Sequence, residues 1–245
     1  MPLDPRKKQK KLERRKAKDK VRRKTEAARQ AHQLTHRFDH AGRGEILDCL
    51  VPVELWEHGI GNVLMSRDLG NGRVGFALFL LDVYCLGVKD VAFDVISRER
   101  YDVEWLPNLK DRFAFERTSP DYVRKLVEDA VEYARSIGLE PHADYRQAKA
   151  IFGDVDASLC RESFEFGRDG KPFFVNGPHD SPMRCRKIVE TLRQQCGPER
   201  FDYLLHLSER ELPAMNLPQL PGMRLIEQPE EAGVSPDDDP TDSES

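Results

Sequence analysis

Residues 74–86 constrain the fold of this 245-residue chain more than any other segment. Both alternating sets of positions in this run are apolar, with Val74 and Phe76 in one set and Phe79 in the other. A strand with two apolar faces is typical of the centre of a sheet that is covered on both sides. The run is long for a single strand, so we expect a bulge or bend within it.

A turn signal directly precedes this strand. Residues 70–72 read Gly-Asn-Gly, and Asn-Gly between apolar runs is typical of a tight hairpin because both residues tolerate a positive φ angle. The hairpin pairs the central strand with a strand predicted at residues 61–68. A further strand is predicted at residues 45–53, and an irregular or helical turn at 52–58 links the two.

Two segments carry both the start and the stop signals of helices. The first begins at Ser119, a good N-cap that is followed by Pro at the first helical position, and it ends at Gly138. Apolar residues with helical spacing form one stripe between these two positions. Residues 181–197 repeat the Ser-Pro start and the Gly stop. A shorter helix is predicted at residues 144–152.

The remaining apolar runs predict a second, smaller group of strands. Residues 164–166 and 173–176 flank the turn-forming sequence Arg-Asp-Gly at 168–170, which indicates a second hairpin. A last strand is predicted at residues 201–207. Together, these elements predict an α+β fold in which a mainly antiparallel sheet packs with two to four helices.

Both ends of the chain differ in composition from its middle. Residues 1–37 hold 15 Lys and Arg against 4 acidic residues, are rich in helix formers and lack an apolar stripe. Residues 212–245 are rich in Pro and acidic residues, which is typical of disorder. We therefore expect a basic helical arm at 1–37, an α+β globular domain at 38–211 with a sub-boundary near 107–118, and a disordered acidic tail at 212–245.

The basic arm has the composition of a phosphate-binding segment. Dense Lys and Arg neutralise phosphates and release counterions, so binding depends on salt and not on base sequence. No RNP aromatic signature, zinc finger or phosphate loop accompanies the arm. The alternative is a solubility tail, or a segment that pairs with the acidic tail. The predicted nucleic-acid-binding residues are Lys7, Lys8, Lys10, Lys11, Arg14, Arg15, Lys16, Lys18, Lys20, Arg22, Arg23 and Lys24.

Cysteine use and hydropathy favour a cytosolic protein. The 5 cysteines include no C-x-x-C pair, so we expect reduced thiols. The basic start is not followed by the apolar run of a secretory signal. The longest apolar run is shorter than the ~20 residues that cross a bilayer, so no membrane contact is expected.

Two segments resemble those of a family of uncharacterised bacterial proteins. Residues 82–90 read D-V-Y-C-L-G-V-K-D, and residues 164–173 read F-E-F-G-R-D-G-K-P-F. The family has similar D-x-Y-C-L-G-x-K-D and E-F-G-x-D-G-x-P-F segments, the first after a hairpin. The resemblance covers residues 45–206. It implies a bacterial intracellular protein and brings no known activity or catalytic residues.

The end of the long apolar run also carries an enzymatic alternative. Cys85 is a candidate nucleophile because Lys89 would lower the pKa of its thiol. Asp82 is a carboxyl group within an apolar run, where burial shifts the pKa. Each residue also has a structural interpretation, since Cys85 fits a small core hydrophobe and Asp82 a hydrogen-bond acceptor. No metal or other cofactor is expected.

These features favour a non-enzymatic cytosolic accessory protein. It would associate with RNA or the ribosome through the basic arm, while the globular domain contacts protein. One alternative is an enzyme of unknown reaction with a site near Asp82, Cys85 and Lys89. The other is a protein-interaction module whose arm only aids solubility. Binding that depends on the arm favours the first interpretation, whereas a low-pKa thiol at Cys85 favours the enzyme.

Overall fold

The computed structural model describes residues 40–206 and, before them, Lys16, Lys18, Lys20, Arg22 and Phe38. The predicted acidic tail and most of the predicted basic arm lie outside the described residues. Phe38 is buried, and its ring centroid lies 4.9 Å from that of Phe93. No helix among the described residues is long and apolar enough to cross a membrane.

A five-stranded antiparallel sheet forms the centre of an α+β fold. Its strands are β1 (Glu45–Pro52), β2 (Ile60–Asp68), β3 (Arg73–Asp82), β4 (Gly87–Ser97) and β5 (Phe115–Arg117). The spatial order is β4-β3-β2-β1-β5, since short connections place the first four strands side by side. The predicted hairpin at residues 70–72 is confirmed, because β2 pairs antiparallel with β3 and Asp68 lies opposite Val74. All three turn residues have a positive φ angle.

Five helical segments accompany the sheet in the described residues, besides the short 3₁₀ turns Ala41–Arg43 and Ala157–Leu159. Ser119 and Ser181 cap two of them as predicted, because their side chains accept hydrogen bonds from the backbone N–H groups of Tyr122 and Arg184. The helices are α1 (Leu55–His58), α2 (the continuous segment Arg98–Arg100, Tyr101–Trp105 and Leu106–Arg112), α3 (Pro120–Ser136), α4 (Tyr145–Ala148, extended by the 3₁₀ turn Lys149–Phe152) and α5 (Pro182–Cys196).

The two faces of β3 are both covered, as predicted from its sequence. Ala77 and Phe79 lie in the core that includes α3 and α4. Val74 and Phe76 lie on the opposite face in a second core with Tyr101 of α2. The helix α2 is not predicted by the sequence pattern, and its middle turn, Tyr101–Trp105, is π-helical. A proline follows that turn, and its missing N–H interrupts the α-helical hydrogen-bond pattern.

The strand predicted at residues 74–86 ends earlier in the structure, so its predicted end is wrong. β3 stops at Asp82, residues 83–86 form a turn, and β4 begins at Gly87. The carboxylate of Asp82 accepts hydrogen bonds from the backbone N–H groups of Tyr84 (3.1 Å) and Cys85 (2.9 Å), which bends the chain. Gly87 has a φ of 62°, and a Cβ there would lie 2.5 Å from a backbone oxygen of α3.

The predicted second hairpin is also wrong. Residues 164–166 form no strand, and β6 (Phe173–Val175) instead pairs in parallel with β7 (Asp202–Leu204). The segment before β6 is bonded to the β3–β4 turn, since Gly167 N–H donates to the carbonyl of Val83 at 3.0 Å. Residues 168–171 do form a tight turn, as expected from Arg-Asp-Gly.

Candidate functional site

Four of the predicted nucleic-acid-binding residues lie in the described part of the chain. Lys16, Lys18, Lys20 and Arg22 are helical and exposed. Successive helical residues are rotated by about 100°, so Lys16 and Lys20 project to one side and Lys18 and Arg22 to the other. The remaining eight lie outside the described residues: Lys7, Lys8, Lys10, Lys11, Arg14, Arg15, Arg23 and Lys24.

The three residues of the enzymatic alternative surround the β3–β4 turn, but each has a structural role there. Burial raises the pKa of the Asp82 carboxyl to about 6, although the N–H donors and Lys89 oppose this shift. Cys85 is fully buried, and burial raises the pKa of its thiol. A thiol with a raised pKa carries little thiolate at neutral pH. The geometry therefore does not supply an activated nucleophile.

Lys89 is paired with an acid from a distant part of the chain. Its Nζ lies 3.3 Å from Oδ2 of Asp180, and both side chains are almost buried. The N–H of Gly177 also donates to Asp180 Oδ2 at 2.8 Å, and Arg184 lies beside the other carboxylate oxygen. Burial opposes ionisation of Asp180, yet these donors and cations hold its pKa below the usual range. The pair ties β4 to the loop that precedes α5.

A cavity of about 630 Å³ opens beside the β3–β4 turn. We call it the aromatic cleft and define it by Trp56 of α1, Tyr84 of the turn, Tyr122 of α3 and the residues 162–165 and 167–169. It draws side chains from four separate segments. A cavity of this size lies within the range of small-ligand sites, about 300 to 1,000 Å³.

The Tyr84 ring lines the aromatic cleft, and hydrogen bonds of its hydroxyl hold the ring in place. Its hydroxyl donates to the carbonyls of Trp56 (2.7 Å) and Glu57 (3.0 Å) at the end of α1. Gly59 ends that helix with a φ of 74°, and a Cβ at this position would lie 2.0 Å from the Tyr84 ring. Only glycine satisfies both the left-handed backbone and the close approach of the ring.

Aromatic contacts hold the loop side of the cleft. The ring of Phe164 stacks on Trp56 with centroids 5.8 Å apart and meets the edge of Tyr122 at 5.1 Å. Phe166 stacks on Tyr133 of α3 at 5.3 Å. Such pairs stabilise by about 0.5 to 1.5 kcal/mol beyond the area that they bury. The loop is therefore positioned by packing, although it has no regular secondary structure.

The aromatic cleft is not visible in the sequence, because its rings are dispersed along the chain. The one local signal is Phe164-Glu165-Phe166, and its alternation predicts a strand. In the structure the two segments that carry the family resemblance are adjacent, since Phe173 N–H donates to the carbonyl of Tyr84 at 3.0 Å. Tyr84 comes from the first segment, and residues 164, 165 and 167–169 come from the second.

The described residues define an α+β protein whose antiparallel sheet is covered by helices on both faces. No group of three or more His, Cys, Asp or Glu side chains in this part of the chain is placed to hold a metal ion. The chain matches no protein-family model, no curated protein and no solved structure.

Proposed function

We propose that this chain is a non-enzymatic cytosolic accessory protein that binds RNA, free or within the ribosome, through the basic arm. Its globular domain contacts a protein partner. The observation that carries the proposal is the exposure of Lys16, Lys18, Lys20 and Arg22 on helical backbone. Membership of the bacterial family that the two segments resemble is part of the same proposal.

The distribution of these four side chains favours phosphate contact over packing. A helix that packs on a domain carries its charges on one face and an apolar stripe on the other. Here basic groups project from both sides of the helix. Phosphates can therefore contact either side of the arm and neutralise its charge. Such contacts are electrostatic, and they predict affinity for RNA and DNA with little preference for base sequence.

The enzymatic alternative receives less support from the described residues. It needs a thiolate at Cys85, whereas burial raises the pKa of that thiol. It also needs Lys89 as a free cation, whereas Lys89 is paired with Asp180. Both observations indicate that these residues stabilise the β3–β4 turn.

The test is the salt dependence of RNA binding by the full chain. A labelled single-stranded RNA of mixed sequence is titrated over a series of salt concentrations. Each phosphate contact adds about 0.7 to the slope of log affinity against log salt. Replacing Lys16, Lys18, Lys20 and Arg22 with Gln should therefore lower the slope by about 3 if all four residues contact phosphate.

The control removes the same charge from the globular domain. Lys110, Arg112, Arg146 and Lys149 are all exposed, and replacing them with Gln lowers the net charge equally. This variant should keep the slope of the unaltered protein. Equal losses in both variants would show a general effect of net charge, and a slope near zero in the unaltered protein would exclude phosphate binding.

A further inference from the structure

The aromatic cleft combines ring surfaces with an acidic rim. We propose that it binds the guanidinium or ammonium group of an arginine or lysine side chain in an extended segment of a protein partner. This inference deepens the protein-contacting half of the proposed function. It rests on Trp56, Tyr84, Tyr122 and the loop beside them, and it does not depend on the basic arm.

The charge of the rim favours a cation. Glu162, Glu165 and Asp169 are exposed and line the cleft, against one lining cation, Arg168. The guanidinium of Arg168 lies 4.8 Å from the ring centroid of Phe173, beside a second cavity that both Arg168 and Asp169 also line. Three carboxylates repel phosphate and attract a cationic side chain, so a basic peptide fits this cleft and a nucleic acid does not.

Tyr84 presents ring surface to the cleft, because its polar end bonds to protein. The hydroxyl of Tyr84 donates to two backbone carbonyls of α1. Burial raises the pKa of Tyr122 and Trp56 opposes this shift, so the indole lies close to the Tyr122 hydroxyl. A cation over a Trp or Tyr ring is stabilised by the quadrupole of the ring, and the effect is largest for Trp.

One cation already occupies such a position beside the cleft. Nζ of Lys125 lies 5.2 Å from the ring centroid of Phe164, while the same group pairs with Asp129 of α3. The pair shows that a ring of this cluster accepts a cation while a carboxylate neutralises it. A bound arginine would likewise lie over the ring of Trp56 and pair with the carboxylates of Glu162 and Glu165 on the rim.

The size of the cavity fits a side chain together with its flanking backbone. About 630 Å³ is more than one arginine fills and less than a folded element needs. Gly167 and Arg168 donate their backbone N–H groups within the protein, whereas residues 162–166 make no backbone–backbone hydrogen bond among the described residues. Their backbone can therefore pair with an extended segment. An extended basic peptide is therefore the occupant that the geometry favours.

The two tryptophans make the test specific. Trp56 lines the cleft, whereas Trp105 lies on the opposite face of the sheet, where its ring centroid is 4.0 Å from that of Phe76. In the full chain with Trp105→Phe, indole fluorescence therefore reports on the cleft alone. The probe is the blocked peptide acetyl-Gly-Arg-Gly-Arg-Gly-amide. Its control replaces both arginines with citrulline, which keeps the shape of the side chain and removes its charge.

We expect saturable quenching of Trp56 by the arginine peptide, with affinity about tenfold weaker for the citrulline peptide. Calorimetric titration of the unaltered chain with the same peptides should give the same ratio, which guards against a folding defect of the Trp105 variant. No saturation in either measurement, or equal affinity for both peptides, would overturn the proposal.

Paired charge variants separate the rim from the general field of the protein. Glu162→Gln with Glu165→Gln should weaken binding about fivefold, since each exposed charge contributes modestly. Glu99→Gln with Glu104→Gln removes the same charge from α2, on the other face of the sheet, and should leave the affinity unchanged. Equal losses in both variants would overturn the proposal. RNA binding by the arm is measured in a separate experiment. Failure of peptide binding by the cleft is therefore distinguishable from failure of RNA binding by the arm.

Discussion

The hydroxyl of Tyr101 donates a hydrogen bond of 2.9 Å to Oδ2 of Asp48 and so joins α2 to β1 across one face of the sheet. The same hydroxyl lies 2.7 Å from Oγ of Ser66, which accepts the backbone N–H of Asp48. Arg117 pairs with the second carboxylate oxygen. A buried carboxylate requires donors of this kind. The polar cluster therefore holds α2 in place beside an otherwise apolar core.

Tyr101→Phe should lower the free energy of unfolding by about 1 to 3 kcal/mol, because it leaves a buried carboxylate oxygen with one donor fewer. Urea unfolding at neutral pH measures this change. The matched control is Tyr203→Phe, because the Tyr203 hydroxyl is buried and has no hydrogen-bond partner among the described residues. This control should change the stability little or raise it. Equal losses in the two variants would contradict a role for the Tyr101 hydrogen bonds.

Asp82 should make stability depend on pH, because burial raises its pKa from 3.8 to about 6. The folded state binds this proton more tightly than the unfolded state does. The resulting contribution to stability is complete below pH 4 and is lost as the pH rises through 6. Asp82→Asn keeps an oxygen that accepts from Tyr84 and Cys85 but does not ionise. The stability of this variant relative to the unaltered protein should rise by about 2 to 3 kcal/mol from pH 4 to pH 7.

Chemical unfolding of both proteins at several pH values tests this prediction. The control is Asp156→Asn, because hydrogen bonds from Ser158 lower the pKa of that exposed carboxyl. Its stability relative to the unaltered protein should not rise over the same interval. A flat difference for Asp82→Asn would show that folding does not raise the pKa of Asp82.

Breaking the Lys89–Asp180 pair should be costly, since both groups are almost buried. Asp180→Asn leaves an ammonium group without its counter-charge, and we expect a loss of about 3 kcal/mol. Arg184→Gln removes the second cation near Asp180, but its side chain is 50% exposed, so the loss should be below about 1 kcal/mol. Urea unfolding compares the two variants. Similar losses would show that the pair does not anchor the loop before α5.

The cysteines should differ in reactivity according to burial. Cys196 is the only cysteine that is not buried, so a thiol reagent should label it first in the native protein. Burial raises the pKa of the Cys49 thiol to about 12, which slows it further. Cys196→Ser should remove the fast phase, and denaturant should release all thiols. A fast phase that persists in Cys196→Ser and disappears in Cys85→Ser would revive the enzymatic alternative.

Local signals were sufficient for the elements whose conformation depends on neighbouring residues. Ser119 begins α3 because its side chain accepts a hydrogen bond three residues ahead, and this bond requires no distant partner. The Gly-Asn-Gly turn at 70–72 needs only residues that tolerate positive φ. The apolar alternation at 74–81 correctly indicated a strand that is covered on both faces.

Tertiary structure decided where strands end and what they pair with. Residues 173–175 and 164–166 have the alternation of a hairpin, yet they do not pair with each other. Residues 173–175 pair with β7, and Phe173 N–H donates to the carbonyl of Tyr84. The aromatic cleft depends in the same way on contacts between segments far apart in the chain. Periodicity and turn residues determine which faces of a segment are apolar, because they act within a few residues. The choice of partner depends on the competition among all segments for hydrogen bonds and apolar surface, which is settled only when the whole domain packs.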